Sequence, residues 1–266
     1  MMTFDVTVIG SGPGGYVAAI RCAQLGMKVA LVEKYNTLGG TCLNVGCIPS
    51  KALLDSSEHF HQAQHQFSAH GIEVKGLSVD FLKMISRKSE VVKQITAGVS
   101  FLMKKNKVEV FTGTGSFISK NKIAVTKTDG SVSEIETAKV IIATGSKPSS
   151  LPNITIDKKR IISSTEALSL AELPKSMIVI GGGVIGCELA SVYARLGTKV
   201  SVIEFMDNLI PTMDAELGKE LQKVMKKMGV ELFLSYKVSG ASSKGKTVTV
   251  TATDNSGKAI EWKADY

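Results

Sequence analysis

Cys42 and Cys47 stand five positions apart in the run Gly39-Gly40-Thr41-Cys42-Leu43-Asn44-Val45-Gly46-Cys47-Ile48-Pro49-Ser50-Lys51. A disulfide needs Cα atoms about 4.4–6.8 Å apart, whereas residues i and i+5 of a regular helix lie about 8–9 Å apart and face different ways. A Cys42–Cys47 bridge therefore requires a distorted turn, which Gly40 and Gly46 can supply. Such a pair would be reducible and its thiols readily ionised, the conditions for thiol–disulfide exchange. Two other readings stand beside it. Zinc wants four ligands, and no second Cys or His pair is placed to complete a site; two inert buried thiols are the plainer possibility. Cys22 and Cys187 fall on predicted helices and read as small core residues.

A second chemistry is written twice, at a constant offset of 171 residues. Strand Val6–Ile9 leads to Gly10, Gly12 and Gly15, a helix, Gly26, and strand Lys28–Val32 ending at Glu33; strand Met177–Ile180 leads to Gly181, Gly183 and Gly186, a helix, Gly197, and strand Lys199–Ile203 ending at Glu204. In each copy the acidic residue follows the middle glycine by 21 positions. That context is what a dinucleotide site requires. The first glycine allows the tight turn, the second admits a pyrophosphate to the backbone, and the third lets helix and strand pack. The helix N-terminus then faces phosphate with its positive dipole end. Glu33 and Glu204 would each accept from a ribose diol.

The elements that must hold these groups follow from patterning. Helices are predicted over Lys51–His70 and Phe81–Lys105, and short strands over Val108–Thr112, Lys122–Lys127 and Ser133–Glu136 around the Asp129-Gly130 turn. A buried strand, Lys139–Ala143, ends in Thr144-Gly145-Ser146. Linker composition near Lys147–Pro152 sets a boundary, giving domains 1–147 and 148–266. In the second copy, strand Thr247–Thr253 and then Ala259–Trp262 form a meander. Ala264-Asp265-Tyr266 sits where Ala138-Lys139-Val140 opens the return strand of the first copy, so the second domain is expected to lack its closing strand. The fold class is α/β: two Rossmann-like dinucleotide-binding domains with β-meander insertions.

The totals bound the remaining classes. At 266 residues, 44% hydrophobic and 21% charged, the chain has globular composition. No apolar run approaches the ~20 residues that cross a bilayer, and the start has no basic n-region. The net charge of +8 comes from scattered lysines without aromatic interleaving, which reads as solvated surface; neither nucleic acid nor membrane is an expected partner. Four cysteines without a secretory signal argue for a reducing compartment, and the expected location is the cytoplasm. His59, His61, His65 and His70 cluster near one helix. His61 and His65 have metal-ligand spacing but no third ligand, so no metal is expected.

Gly39–Leu54, reading GGTCLNVGCIPSKALL, resembles the redox signature of the dihydrolipoamide dehydrogenases among the pyridine nucleotide–disulfide oxidoreductases. Glutathione and mercuric reductases share the cysteines but usually differ around Ile48–Leu54. The resemblance extends through Gly10–Gly15, Ala143–Ser146 and Gly181–Glu188. It implies FAD at Gly10, Gly12, Gly15, Glu33, Lys34, Gly40, Thr41, Gly115, Thr144, Gly145 and Ser146, and NAD at Gly181, Gly183, Gly186, Glu188 and Glu204. Cys42 matches the interchange thiol, Cys47 the charge-transfer thiol, Lys51 the lysine near the flavin, and Glu188 its carboxylate partner. The implied reaction oxidises dihydrolipoamide, carried on a lipoyl domain, and reduces NAD, in a homodimer. The family's chain is longer and supplies a His–Glu base from a C-terminal domain. This chain therefore reads as a fragment, expected to show little lipoamide turnover by itself. A non-catalytic FAD/NAD-binding module and an NAD(P)H-dependent disulfide reductase are the alternatives.

Overall fold

The structure is a computed structural model and describes residues 2–266. Contacts divide the chain into two compact units: residues up to Pro49 with Ser89–Lys147, and Ser50–Lys88 with Pro148–Tyr266.

The first unit is built on β1 (Met2–Ile9), α1 (Pro13–Gln24), β2 (Val29–Glu33), α2 (Gly40–Val45), the start of α3 (Cys47–His65) and the later turns of α4 (Phe81–Lys105). It continues through β3 (Glu109–Thr112), β4 (Thr114–Ser119), β5 (Lys122–Thr126) and β6 (Val132–Ile142). The six-stranded sheet has the order β3-β2-β1-β6-β5-β4. β1 pairs in parallel with β2 and β6, and β2 with β3, while β4-β5-β6 form an antiparallel meander. Every residue of β2, Val-Ala-Leu-Val-Glu, is buried, as expected of a strand covered on both faces. Burying Val8, Val29 and Leu31 contributes about 1.5–3 kcal/mol each. Pro13 opens α1 where its missing N–H costs nothing, and Gly26, at φ +85°, turns the chain out of it. The two strands expected at Ser133–Glu136 and Lys139–Ala143 are one continuous strand. β6 runs beside β1 from Met2↔Ile135 to Ile9↔Ile142, and the parallel ladder carries it across the predicted gap.

The second unit carries most of α3 and the first turns of α4, then α5 (Ser164–Ala167), β7 (Ser176–Ile180), α6 (Val184–Arg195) and β8 (Lys199–Glu204). It ends with α7 (Ala215–Lys227), β9 (Glu231–Leu234), β10 (Lys237–Lys244), β11 (Thr247–Thr253) and β12 (Ala259–Ala264). β7-β8-β9 form a parallel sheet and β10-β11-β12 an antiparallel one. Its core joins Leu53 and Phe81 to Leu168, Val192, Tyr193, Val202, Leu209 and Met225, and the buried Tyr193 hydroxyl donates to Ala167 O. Asp265 and Tyr266 lie along β7: Asp265 N donates to Ser176 O (3.2 Å) and Ile178 N to Tyr266 O (3.0 Å). No helix among the described residues is long and apolar enough to cross a membrane.

Candidate active site and nucleotide sites

Cys42 and Cys47 are joined as a disulfide, with Cα atoms 4.7 Å apart. The regular helix that would hold them too far apart is broken between them. α2 ends at Val45, Gly46 (φ −139°, ψ −117°) interrupts it, and α3 begins at Cys47, with Pro49 tolerated in the first turn. α3 therefore starts four residues before its expected start at Lys51. A Cβ at Gly46 would sit 2.9 Å from Thr41 O and 3.2 Å from Cys42 Cα, so the close approach of the cysteines uses the bare glycine. Gly40 has a different job. At φ +59° it packs so closely on the first glycine turn that a Cβ would lie 2.5 Å from Gly12 Cα. Cys42 is half-buried, and Cys47 and Thr41 are exposed.

The residues expected around a first nucleotide converge on one end of β1 and β2. Gly10, at φ +103°, leaves no room for a Cβ against Ala143 O and Thr144, and Gly15 leaves none against Gly10 O. Gly115 faces Ile9 and Val32. Gly12 caps α1 with no side-chain cap bond. Glu33 is 6% exposed and accepts from Ser11 N (2.9 Å), Ser11 Oγ (2.6 Å) and Tyr35 N (3.0 Å). A carboxylate has about four acceptor sites, so about one is left for a ligand hydroxyl. Ser11 also receives Gly39 N on its carbonyl (3.0 Å) and on its hydroxyl (3.3 Å), linking the acidic residue to the cap of the cysteine helix. Lys34 lines a cavity of about 420 Å³ with Asn36, Thr112, Gly113 and Lys127. Thr144, Gly145 and Ser146 are exposed, and Gly145 has open space about it.

The second turn repeats the first. Gly181 has φ +106°, Gly183 caps α6 with no side-chain cap bond, and Gly186 packs on Gly181 O. Glu204, 8% exposed, accepts from Gly182 N (2.6 Å) and Met206 N (2.7 Å), leaving about two acceptor sites because Gly182 lacks the hydroxyl of Ser11. In the same unit Glu188 holds two consecutive residues of α3. Lys51 Nζ donates to Oε1 at 2.5 Å and Ser50 Oγ to Oε2 at 3.1 Å. Lys51 and Cys47 are four positions apart on α3, the spacing of one helical face. Ser11 and Ser50 were invisible to motif reading, since the partners that give them meaning lie 22 and 138 residues away.

The other candidates separate from this chemistry. Cys187 is buried and its thiol is pushed up to about 11, first by burial and then by the Glu204 and Glu188 carboxylates. Cys22 is half-buried and free. His61 and His65 lie side by side with ring centroids 4.6 Å apart and planes tilted by 52°, and burial, then the neighbouring His65, holds the His61 pKa down. No group of three or more His, Cys, Asp or Glu among the described residues is arranged to hold a metal ion.

Two strand–glycine turn–helix units, one carrying a bridged cysteine pair, define the class of dinucleotide-binding disulfide oxidoreductases. The family model described as pyridine nucleotide-disulphide oxidoreductase matches residues 4–265, and the chain belongs to that family. It is 48% identical to the mitochondrial dihydrolipoyl dehydrogenase of Pisum sativum, covering 95% of this chain and 50% of that protein. The mitochondrial dihydrolipoyl dehydrogenase of Homo sapiens is also 48% identical, over 96% of this chain and 51% of that one. Leghemoglobin reductase of Vigna unguiculata is 50% identical, over 93% and 47%. Among solved structures, an HOCl-induced flavoprotein disulfide reductase from Escherichia coli superposes with TM-score 0.81 at 28% identity, covering 98% of this chain and 55% of that one. The chain thus spans about half the length of the curated relatives it matches. The expected cytoplasmic location is overturned, because the dihydrolipoyl dehydrogenases it resembles are named as mitochondrial. Cysteine usage argues only for a reducing compartment and does not separate cytosol from mitochondrion.

Proposed function

We propose that this chain is the FAD- and NAD-binding part of a mitochondrial dihydrolipoyl dehydrogenase, with residues 1–147 serving FAD and 148–266 serving NAD. The observation that carries the reading is the Cys42–Cys47 bridge, closed across the Gly46 break on a helix whose Gly40 packs directly on the Gly12 turn. The residues fit the nucleotides: glycine cradles that a Cβ would fill at Gly10 and Gly15, helix N-termini without side-chain caps, and buried carboxylates with acceptor capacity to spare. Thr144 and Ala143 pack against Gly10, and Gly115 against Ile9 and Val32; Gly145, Ser146, Lys34 and Thr41 would complete the first site. Gly181, Gly183, Gly186 and Glu204 form the second.

The chemistry at sulfur then balances. A thiolate of dihydrolipoamide, presented on a lipoyl domain, attacks Cys42 Sγ; the Cys42–Cys47 bond breaks and Cys47 leaves as thiolate. The second lipoyl thiolate displaces Cys42, releasing lipoamide and two protons and leaving the reduced pair. FAD, when bound, supplies the two-electron acceptor that reoxidises the pair, with NAD as final acceptor. Lys51, held by Glu188, provides positive charge on the face of α3 that carries Cys47, and a homodimer completes the enzyme. The substrate assignment is tested by adding dihydrolipoamide to the Cys47→Ala and Cys42→Ala chains, each activated at its remaining bridge cysteine as a mixed disulfide, and following how fast the free thiol returns as lipoamide closes. Faster return at Cys42 than at Cys47 is expected; an equal rate with glutathione would favour a different disulfide substrate.

NAD over NADP follows from Glu204, whose carboxylate accepts from a 2′-hydroxyl but repels a 2′-phosphate. Phe205-Met206-Asp207 supplies no cation to offset it. Like charges about 4 Å apart cost about 1–4 kcal/mol between water and a protein surface, so NAD should bind at least about fivefold tighter. Equal Kd values for the two nucleotides would remove the assignment.

A further inference from the structure

We infer that Ser50 is a positioning residue that fixes the Glu188 carboxylate and, through it, the Lys51 ammonium. The inference rests on the reading of Lys51 given above, but its test does not require flavin or turnover. Three facts carry it. Ser50 Oγ donates to Oε2 of Glu188 while Lys51 Nζ donates to Oε1, so two consecutive residues take one oxygen each and the carboxylate plane is set from both sides. Ser50 is buried at 6% exposure, whereas the side chains of Lys51 and Glu188 are 59% and 21% exposed. Pro49, in the first turn of α3, fixes its own φ in the helix immediately before Ser50.

The physics assigns the parts. A solvent-exposed lysine–carboxylate pair is weakly held, because both stems keep rotamer freedom and water screens the charges. The pair by itself would therefore not keep an ammonium at one place. A serine has a single heavy-atom torsion, and here it is fixed by burial. Its hydroxyl anchors one carboxylate oxygen to the helix that also carries the lysine, and leaves the other oxygen facing Nζ. The charge is thus located by the less mobile partner.

The experiment is the acylation rate of Lys51 by a small amine reagent, followed by peptide mass spectrometry on the 266-residue chain without added nucleotide. Ser50→Ala is expected to raise that rate about fivefold, the equilibrium that one net hydrogen bond controls, and to leave Lys51 labelling in the Glu188→Ala background unchanged. Ser50→Thr, which keeps the hydroxyl, should label at the parent rate, and the isosteric Ser50→Val at the faster one. An Ala or Val rate equal to the parent overturns the inference. So does an equal increase in the Glu188→Ala background, which would show that Ser50 acts only on helix stability. If Ser50→Ala fails to fold, the Thr and Val pair decides alone.

Discussion

Gly46→Ala tests how the fold brings the two thiols together. The added Cβ would meet Thr41 O at 2.9 Å, Cys42 Cα at 3.2 Å and Thr41 C at 3.3 Å, all on the segment carrying the other cysteine. Two of these atoms are main chain of Thr41 and one is the Cα of Cys42, so no flexible side chain can yield, and the two helix ends must separate. In the oxidised chain the cysteine Cα atoms are tied at 4.7 Å, and the overlap is retained. In the dithiol they are free to part and the overlap is relieved. Overpacking of this kind costs about 1–3 kcal/mol. Placed on the disulfide alone, it makes the couple more oxidising by about 20–65 mV, at 30 mV for each 1.4 kcal/mol. The assay is equilibration of parent and variant with glutathione redox buffers, followed by alkylation and mass analysis. A potential unchanged within about 10 mV, with equal losses of melting temperature in both redox states, would show that the overlap does not act on the bridge.

Two further outcomes follow from buried groups. Cys187, with its thiol pushed up to about 11 by burial and the nearby carboxylates, holds a thiolate fraction near ~10⁻⁴ at pH 7; it should resist alkylation in the folded chain while reduced Cys42 and Cys47 label, and rapid Cys187 labelling would contradict the packing of α6. Lys88 is 6% exposed and its ammonium donates to Ser169 Oγ, and burial lowers its pKa from the usual 10.5. Between the folded value and 10.5 the unfolded chain binds more protons, so stability rises with pH through that window, and the cost is fully present below it. Lys88→Met should therefore raise the melting temperature at pH 7, with the gain shrinking toward pH 10.5; a gain independent of pH would refute it.

The repeated nucleotide folds were legible because glycine turns leave a one-dimensional trace: Gly10 and Gly181 carry φ of +103° and +106° in equivalent places. Phe81–Lys105 was legible in full, its apolar spacing being long and regular. β4 was not, because Thr114–Ser119 is largely exposed and shows no alternation. β6 was divided because its first half pairs antiparallel with β5 and only the parallel β1 ladder shows its continuity. α7 carries its signal away from the glycine turns, in Asp214 capping Glu216 N ahead of Leu217, Leu221 and Met225 at helical spacing. At the site, cysteine spacing pointed to a distorted turn, but not to which glycine does what. Gly46 admits Cys42 and Gly40 admits Gly12, and only the folded chain separates those tasks.

The most direct measurement of electron flow from nicotinamide to the bridge loads the chain with FAD, adds one equivalent of NADH without oxygen, and counts thiols by differential alkylation. Cys42 and Cys47 are expected to become labelled together, to the extent of the NADH consumed, while Cys22 and Cys187 keep the labelling they had before. Labelling confined to one cysteine, a new thiol at Cys22 or Cys187, or NADH consumption with the Cys42–Cys47 bridge intact would contradict it.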